Sequence, residues 1–581
     1  MARKSSPEYL KQYKQKLEYS KRWRKDEGFD ATWKRLTDLY KGRHYEHYSD
    51  EDRLLVNIVF STINVIAPAI AINYPKIVVN AVKPENAPNA IIAEAVVNYW
   101  WRHRDVKSEF RRSVKDFLMY GHGWMKVGYR FVEEENVGGE DDVSDPIEGS
   151  STANSIILED SPFAERVSPM DVFVDSDATS MSDMRWIAQR VRRPIADVKS
   201  DKRYNKAARE AVGIMAVSRY SDDPSRRKVY DKNSGYAEIW EYYDIATKTM
   251  SVFSDDGDKF LVNPTKMPYS FGHPFVMLRN YDVPDAFYPI GELEAIEPLQ
   301  KELNETRTQM MNHRKRFARK YLYKESAFDQ LGRTALESEQ DNIMVPVISD
   351  EALSNVVAPL PVTITPPEFY NQSNMIISDI DRISGLSEFM RGASTEIRRS
   401  ATEASLMQDA ANTRTADKLA TVEQAVAQVA RRLVTLTQQF MSGEQVARIV
   451  TKNGESVWVT YDRDYLEGDF DFEVEAGSTQ PQNESFRRQM ALQLVDAMAP
   501  FAGAGIIDMP KLAAHVLQFG FGVKNPEQFM AAAPPAGAPE GPMGGPPMGE
   551  PPAGMPLPPQ PPIGGSEITA AEAGAMGGMA P

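Results

Sequence analysis

The sequence predicts an α+β protein, with a mixed α/β N-terminal half, a run of long helices and a shorter strand-containing C-terminal part. Three observations carry this. Apolar residues recur at helical spacing between residues 31 and 120, and alternating runs separated by turn residues fill much of 124–262. From Pro289 onward the composition turns helical, with no glycine between Gly291 and Gly332. At 581 residues the chain is too long for one ordinary core.

Ala31–Lys41 sets Trp33, Leu36, Leu39 and Tyr40 on one face, with Asp30 as cap and Gly42 as stop. Ser49-Asp-Glu-Asp52 offers a near capping box for an apolar helix over Leu54–Ile72. Those 19 residues carry no charge, close to the length a bilayer requires. Asn57, Ser61, Thr62, Asn64 and Pro68 interrupt the run, so a buried core helix is expected. Lys76–Asn80 reads as a strand, and Ala87–Arg104 and Val106–Tyr120 as helices. Gly121-His-Gly123 lacks a third glycine and follows a helix, so it reads as a helix terminus and not a phosphate cradle.

Trp124–Val132 alternates like a strand, and the acidic, Gly/Ser-rich stretch Glu133–Asp160 reads as a loop or insertion. Val167–Asp175 is expected as a strand and Arg185–Val191 as a strand-to-helix region. Tyr236–Ile245, Met250–Ser254 and Lys259–Val262 form a meander, with Asp255-Asp-Gly257 as a turn. Pro289 suits the first position of a helix reaching Lys320, roughly 45 Å long. Residues 321–365 are irregular, with β-prone pieces at Asn342–Ile348 and Val362–Thr365.

Thr365-Pro-Pro-Glu368 caps a second helix to about Met390, and Ser400-Ala-Thr-Glu403 a third and longest one ended by Gly443. Along the third, Leu419, Val422, Val426, Val429, Leu433, Leu436 and Phe440 make a heptad-like seam, for packing within the chain or against a neighbour. Asn453-Gly454 marks a hairpin between Ala447–Lys452 and Ser456–Thr460. Phe470–Glu475 is a further strand and Glu484–Ala499 a further helix. The last 51 residues hold 14 Pro, 11 Gly and no Lys or Arg, a composition expected to be disordered.

Catalytic signatures are absent. Without cysteine there are no disulfides, thiolate metal sites or cysteine nucleophiles, which suits a reducing cytoplasm. There is neither a P-loop nor an HExxH motif. His44 and His47 are a weak metal half-site beside Tyr45 and Tyr48, with aromatic packing as the simpler reading. No cofactor and no metal is expected. The basic N-terminal stretch is not followed by an apolar segment, so no secretory signal is read there.

Charge is uneven. The net charge of −15 argues against a surface that grips nucleic acid throughout. Residues 1–25 nevertheless hold nine Lys/Arg against Glu8 and Glu18, and read as a solvated or partly helical basic arm. A second concentration, His313-Arg-Lys-Arg316 with Arg319 and Lys320, sits at a helix C-terminus. There the macrodipole favours cations, but it does not require five within seven residues. A third, Arg391, Arg398 and Arg399, lies in the break before the longest helix. Arg314, Lys315, Arg316, Arg319, Lys320, Arg391, Arg398 and Arg399 are therefore the candidate phosphate contacts.

Trp33-Lys-Arg-Leu-Thr-Asp-Leu-Tyr40-Lys-Gly42, Asn57-Ile-Val-Phe60, Tyr74-Pro-Lys-Ile-Val-Val79 and Asp116-Phe-Leu-Met-Tyr-Gly-His-Gly-Trp-Met-Lys-Val127 resemble the opening of tailed-bacteriophage portal proteins, the head-to-tail connectors. The order of long helix, insert, helix, broken segment, Ala401-Thr-Glu-Ala404 and very long helix resembles them too, over about residues 30–500. The resemblance implies a portal fold: a basic arm over 1–29, an α/β wing over 30–288 and a first stem helix over 289–320. It implies a clip at 321–365, a second stem helix at 366–390 and a tunnel loop at 391–400. A long kinked wing helix with wing strands would follow at 401–483, then a helical crown-like region at 484–530. The Pro/Gly-rich tail at 531–581 has no family counterpart to place it.

The implied function is a ring of twelve copies at a capsid vertex, through which double-stranded DNA is packaged and ejected. Its implied partners are the terminase large subunit, head-completion or adaptor proteins, and major capsid or scaffolding protein, with no membrane. The implied location is the virion, after assembly in the host cytoplasm. Competing readings are another structural virion protein such as a head-completion protein, a metal-dependent nuclease using clustered carboxylates, and a membrane-associated scaffold built on Leu54–Ile72.

Overall fold

The computed structural model describes residues 7–45, 53–70, 75–135, 155–214, 235–317, 321–338, 343–359, 368–386, 401–442, 445–450, 456–475, 488, 491–498, 509–523 and 529. The basic N-terminus, expected as a solvated or partly helical arm, is helical over Pro7–Asp26, α1, and it is docked where an arm was expected. Its Leu10, Tyr13 and Leu17 bury against Phe173, Trp186, Trp240, Tyr242, Phe253 and Phe260. Lys14 Nζ donates to the carbonyls of Asp255 and Gly257, both at 2.7 Å. Buried Arg24 donates to the Val172 carbonyl at 2.9 Å. An apolar stripe, with two cations capping carbonyls, is enough to seat a strongly basic helix.

Helix α2 is Phe29–Tyr40, and α3 is Ile58–Ile70. The latter starts later than predicted because Asn57 Oδ1 accepts from the Phe60 amide at 3.0 Å and caps it. Strand β1 (Ile77–Ala81) and helices α4 (Ala87–His103) and α5 (Val106–Tyr120) fall where the sequence put them. Gly121 ends α5 at φ 86°.

The segment expected as a loop from Glu133 is partly a long hairpin. Strand β2 spans His122–Glu135 and pairs antiparallel with β3, Ser155–Val167, while 136–154 lie outside the described residues. Pro162 and three carboxylates disguise β3 in the sequence. It is the edge strand of the order β3-β2-β9, where proline costs no ladder bond. Its carboxylates are partnered across the strands, Arg130 with Glu165 at 2.7 Å and the Tyr129 hydroxyl with Asp160 at 2.6 Å.

Strands β4 (Val172–Val174) and β5 (Trp186–Pro194) precede two short helices, α6 (Ile195–Ser200) and α7 (Lys206–Glu210). With β6 (Tyr236–Asp244), β7 (Thr249–Ser254) and β8 (Phe260–Lys266) they make one antiparallel sheet, β4-β5-β6-β7-β8, whose face α1 covers. Strand β9 (Phe275–Arg279) joins β2.

Helix α8 spans Glu292–Phe317, so it does not begin at Pro289. Ile290 instead bridges Tyr281 in both directions, at 3.2 and 3.0 Å. Gly291 lies so close to the turn after α5 that a Cβ there would come within 2.6 Å of the Gly121 nitrogen. Residues 318–320 lie outside the described set. Beyond it, β10 (Tyr321–Tyr323) pairs with β11 (Val357–Pro359), enclosing α9 (Gln330–Glu337) and α10 (Leu353–Val356). Strand structure is thus at the ends of this segment and not at 343–348; Val362–Thr365 is outside the described residues.

Helix α11 spans Glu368–Ser384 and stops short of Met390 because Gly385, at φ 72°, takes the left-handed position. Residues 387–400 lie outside the described set. Helix α12, Ala401–Phe440, is the longest at 40 residues. Val422, Val426, Val429, Leu433 and Leu436 are fully buried in this chain's main core, so the seam packs internally. Strands β12 (Gln445–Val450) and β13 (Ser456–Tyr461) pair as a hairpin. Strand β14 (Phe470–Val474) pairs with β1. Residues 491–498 are helical, and α13 is Met509–Phe521; residues 530–581, including the Pro/Gly-rich tail, lie outside the described set.

His122 reports on this core. Its ring is buried among Trp33, Trp124 and Tyr288, with Nδ1 3.2 Å from the Tyr120 carbonyl. Burial pushes it down to about 3 from an ordinary value near 6.5, so it folds as the neutral ring. The unfolded chain takes up the proton first as pH falls. The stabilisation is therefore present above pH 6.5 and is lost as pH drops toward 3, by at most about 1.4 kcal/mol per pH unit. Urea midpoints between pH 6.5 and 4 are expected to fall more steeply for the wild type than for His122→Phe; equal slopes would show that this ring does not set the acid limit.

Candidate functional site

Helix α8 passes from a buried root to an exposed end. Glu292, Glu297, Gln300, Asn304 and Thr306 are buried, whereas none of residues 307–315 is. These polar groups are buried beside Leu293, Ile296 and Leu303, so each needs a partner. Gln300 Oε1 accepts from the Ile58 and Val59 amides at 3.0 and 3.2 Å, and its Nε2 donates to the Val56 carbonyl at 2.7 Å. Asn304 Oδ1 accepts from the Val56 amide at 3.2 Å, and Thr308 Oγ1 from the Leu54 amide at 3.0 Å. Residues 300, 304 and 308 share one helix face, and together they hold 54–59 along α8.

His44 closes this ladder. Its Nε2 lies 2.7 Å from the Leu39 carbonyl and its Nδ1 2.7 Å from Asn304 Nδ2. One tautomer satisfies both contacts, with Nε2–H donating and Nδ1 accepting. Both ring nitrogens are thereby engaged within the chain; His47 is outside the described residues. Among the described residues no group of three or more His, Asp or Glu is placed to hold a metal ion.

Three ion pairs anchor the root. Glu297 accepts from Arg35 at 2.8 Å and from Lys301 at 2.7 Å. Burial alone pushes the Glu297 carboxyl up, but these two donors outweigh it and hold it below the usual range. Glu292, in the first turn of α8, pairs with Lys418 of α12, and both side chains are buried. Burial lowers the Lys418 ammonium; Glu292 more than compensates and raises it, with the Tyr281 ring 5.0 Å from Nζ.

Helix α11 runs back along α8. Gln372 reaches Glu302 at 3.5 Å, and Ile383 lines a cleft with Lys418 near the α8 root, so the two helices are antiparallel. The segment between them has a small core of its own, Ala327, Phe328 and Val356.

Of the sequence-derived phosphate candidates, Arg314 and Lys315 are exposed on the last turns of α8. Arg316 is within the helix, and the placement of its side chain is not described. Arg319, Lys320, Arg391, Arg398 and Arg399 lie outside the described residues. The sequence reading missed the 300–304–308 ladder and the Glu292–Lys418 pair. The four-residue spacing was visible; the long-range pair had no local signal.

A model of the phage P22-like portal protein family matches residues 10–519. The chain belongs to that family. No curated protein matches it. Portal membership makes this a structural protein of a tailed phage. Among the described residues no portal helix is long and apolar enough to cross a membrane.

Removing one partner of a buried pair leaves a charge stranded in low dielectric. Lys418→Met is expected to cost about 3–5 kcal/mol in urea unfolding. Combining it with Glu292→Leu should recover most of that stability, giving a large coupling in the double-mutant cycle; additive effects would mean that the two residues act separately.

Proposed function

We propose that twelve copies of this chain form a closed ring at a capsid vertex, through which double-stranded DNA is packaged and later ejected. The observation that carries this is the portal family match over residues 10–519. The antiparallel α8–α11 pair, rooted in the main core and joined by a segment with its own small core, supports assigning these helices as the stem. Residues 321–365 are then the clip, the docking face for the terminase large subunit and later for head-completion or adaptor proteins. Residues 391–400 are the tunnel loop.

The charge balance suits this role. Each phosphate neutralised adds salt-sensitive affinity, and a duplex that must slide cannot be held at many points. A subunit of net charge −15 with a few basic groups confines DNA while binding it weakly. Closed rotational symmetry gives each subunit two different neighbouring faces. Major capsid or scaffolding protein is the expected surrounding contact.

Electron microscopy of purified protein is expected to show rings with a central channel; a protein that stays monomeric under all conditions would overturn the proposal. Charge reversal at Arg391, Arg398 and Arg399 should leave rings intact and impair DNA packaging or retention. Failure of that variant to form rings would make these arginines subunit contacts instead.

A further inference from the structure

Residues 102–115 carry six cations, Arg102, Arg104, Lys107, Arg111, Arg112 and Lys115, against only Asp105 and Glu109. Helix α5 sorts them. Val106, Phe110, Ser113, Val114 and Phe117 face the core, while Ser108, Arg111, Arg112 and Lys115 are exposed on the opposite side. Arg102 is exposed in the last turn of α4.

Several arginines elsewhere in this acidic chain are matched by carboxylates. Arg130 pairs with Glu165, Arg190 with Asp171, Arg192 with Glu238 and Arg193 with Asp201. Among the described residues, Arg102, Arg111 and Lys115 have no hydrogen-bond or ion-pair partner. Arg112 reaches Glu109 at 2.8 Å yet remains mostly exposed.

Helix stability does not account for this arrangement. Lys107 stands in the first turn of α5, where the peptide dipoles favour anions. Arg111 and Lys115 are like charges at i and i+4, a destabilising spacing. The cleft beside them is a poor anion site, because Glu109, Glu159, Glu165 and Asp171 line it together with the arginines. A ligand for the unpaired cations therefore sits on the exposed stripe itself.

The geometry points to the phosphate backbone of double-stranded DNA as that ligand, bound by Arg111, Arg112 and Lys115 with Arg102 beside them, without sequence preference. None of the exposed large hydrophobic residues falls within 102–115. A protein partner needs buried apolar or aromatic anchors, whereas a phosphate backbone needs only spaced cations. The choice of DNA over another polyanion rests on the portal reading; anion binding by the stripe does not. This contact is separate from residues 314–320 and 391–399.

Anisotropy of a labelled short duplex across a NaCl series, on the full chain, tests it. Arg111→Gln with Lys115→Gln should weaken binding equally for unrelated sequences, and the log–log salt slope should shrink by about 0.9 for each phosphate that is no longer neutralised. Arg314→Gln with Lys315→Gln serves as comparison. An unchanged slope and affinity in a variant with a normal thermal midpoint overturns the proposal, and so does polyglutamate competing as well as DNA. Rings in the same preparations separate this from the portal reading: rings with unchanged binding refute only the α5 contact, and absence of rings in the wild type refutes the portal reading.

Discussion

The root of α8 buries polar groups inside a core beside Leu293, Ile296 and Leu303, and that condition constrains what is attached to it. An unpartnered amide or carboxylate there costs far more than a made hydrogen bond returns. Gln300 and Asn304 accept only one placement of residues 54–59, and Glu292 accepts only one approach of α12. The close backbone passage of Gly291 against Gly121 adds a steric limit at the same place. The register of α8 relative to α3, α5 and α12 follows from these groups more than from apolar contact, which is less directional.

Pairing also explains how the two long helices leave the core. Burial along α8 ends at Thr306. Helix α11 lies beside it with Ser373, Ile376, Ile380 and Ser384 buried, and carries the chain back to the root. A two-helix pair of this kind keeps one apolar seam covered, while Met375 and Ile383 of α11 remain exposed. The small core of Ala327, Phe328 and Val356 lets the connecting segment fold with little help from the rest of the chain.

Much of this was legible in the sequence, and the failures share a cause. Helices α4, α5 and α12, the β6-β7-β8 meander and the β12-β13 hairpin were readable because pattern, caps and turn residues agree locally. The start of α8 was misread because Pro289 is a good first helical residue, while Ile290 bridging Tyr281 is a tertiary event. Strand β3 was hidden because its carboxylates find partners only across the hairpin. The phosphate candidates were found as runs of basic letters, a signal blind to cations spaced around a helix such as α5.

Partnership, not local net charge, separates a structural cation from one available to a ligand. Helix α1 belongs to the most basic stretch of the chain; Lys14 and Arg24 are committed to carbonyls and Lys21 reaches Asp255 at 3.2 Å, while Lys11, Lys16, Arg22 and Lys25 are exposed. Helix α5 has fewer charges, and Arg111 and Lys115 on it are exposed without a partner, at a like-charge i, i+4 spacing. Arg314 and Lys315 fall between these cases. They are exposed, but they sit at a helix C-terminus, where the dipole alone supplies a reason for them. The structural argument for phosphate contact is accordingly stronger on α5 than on the end of α8, the reverse of the order in which the sequence presents them.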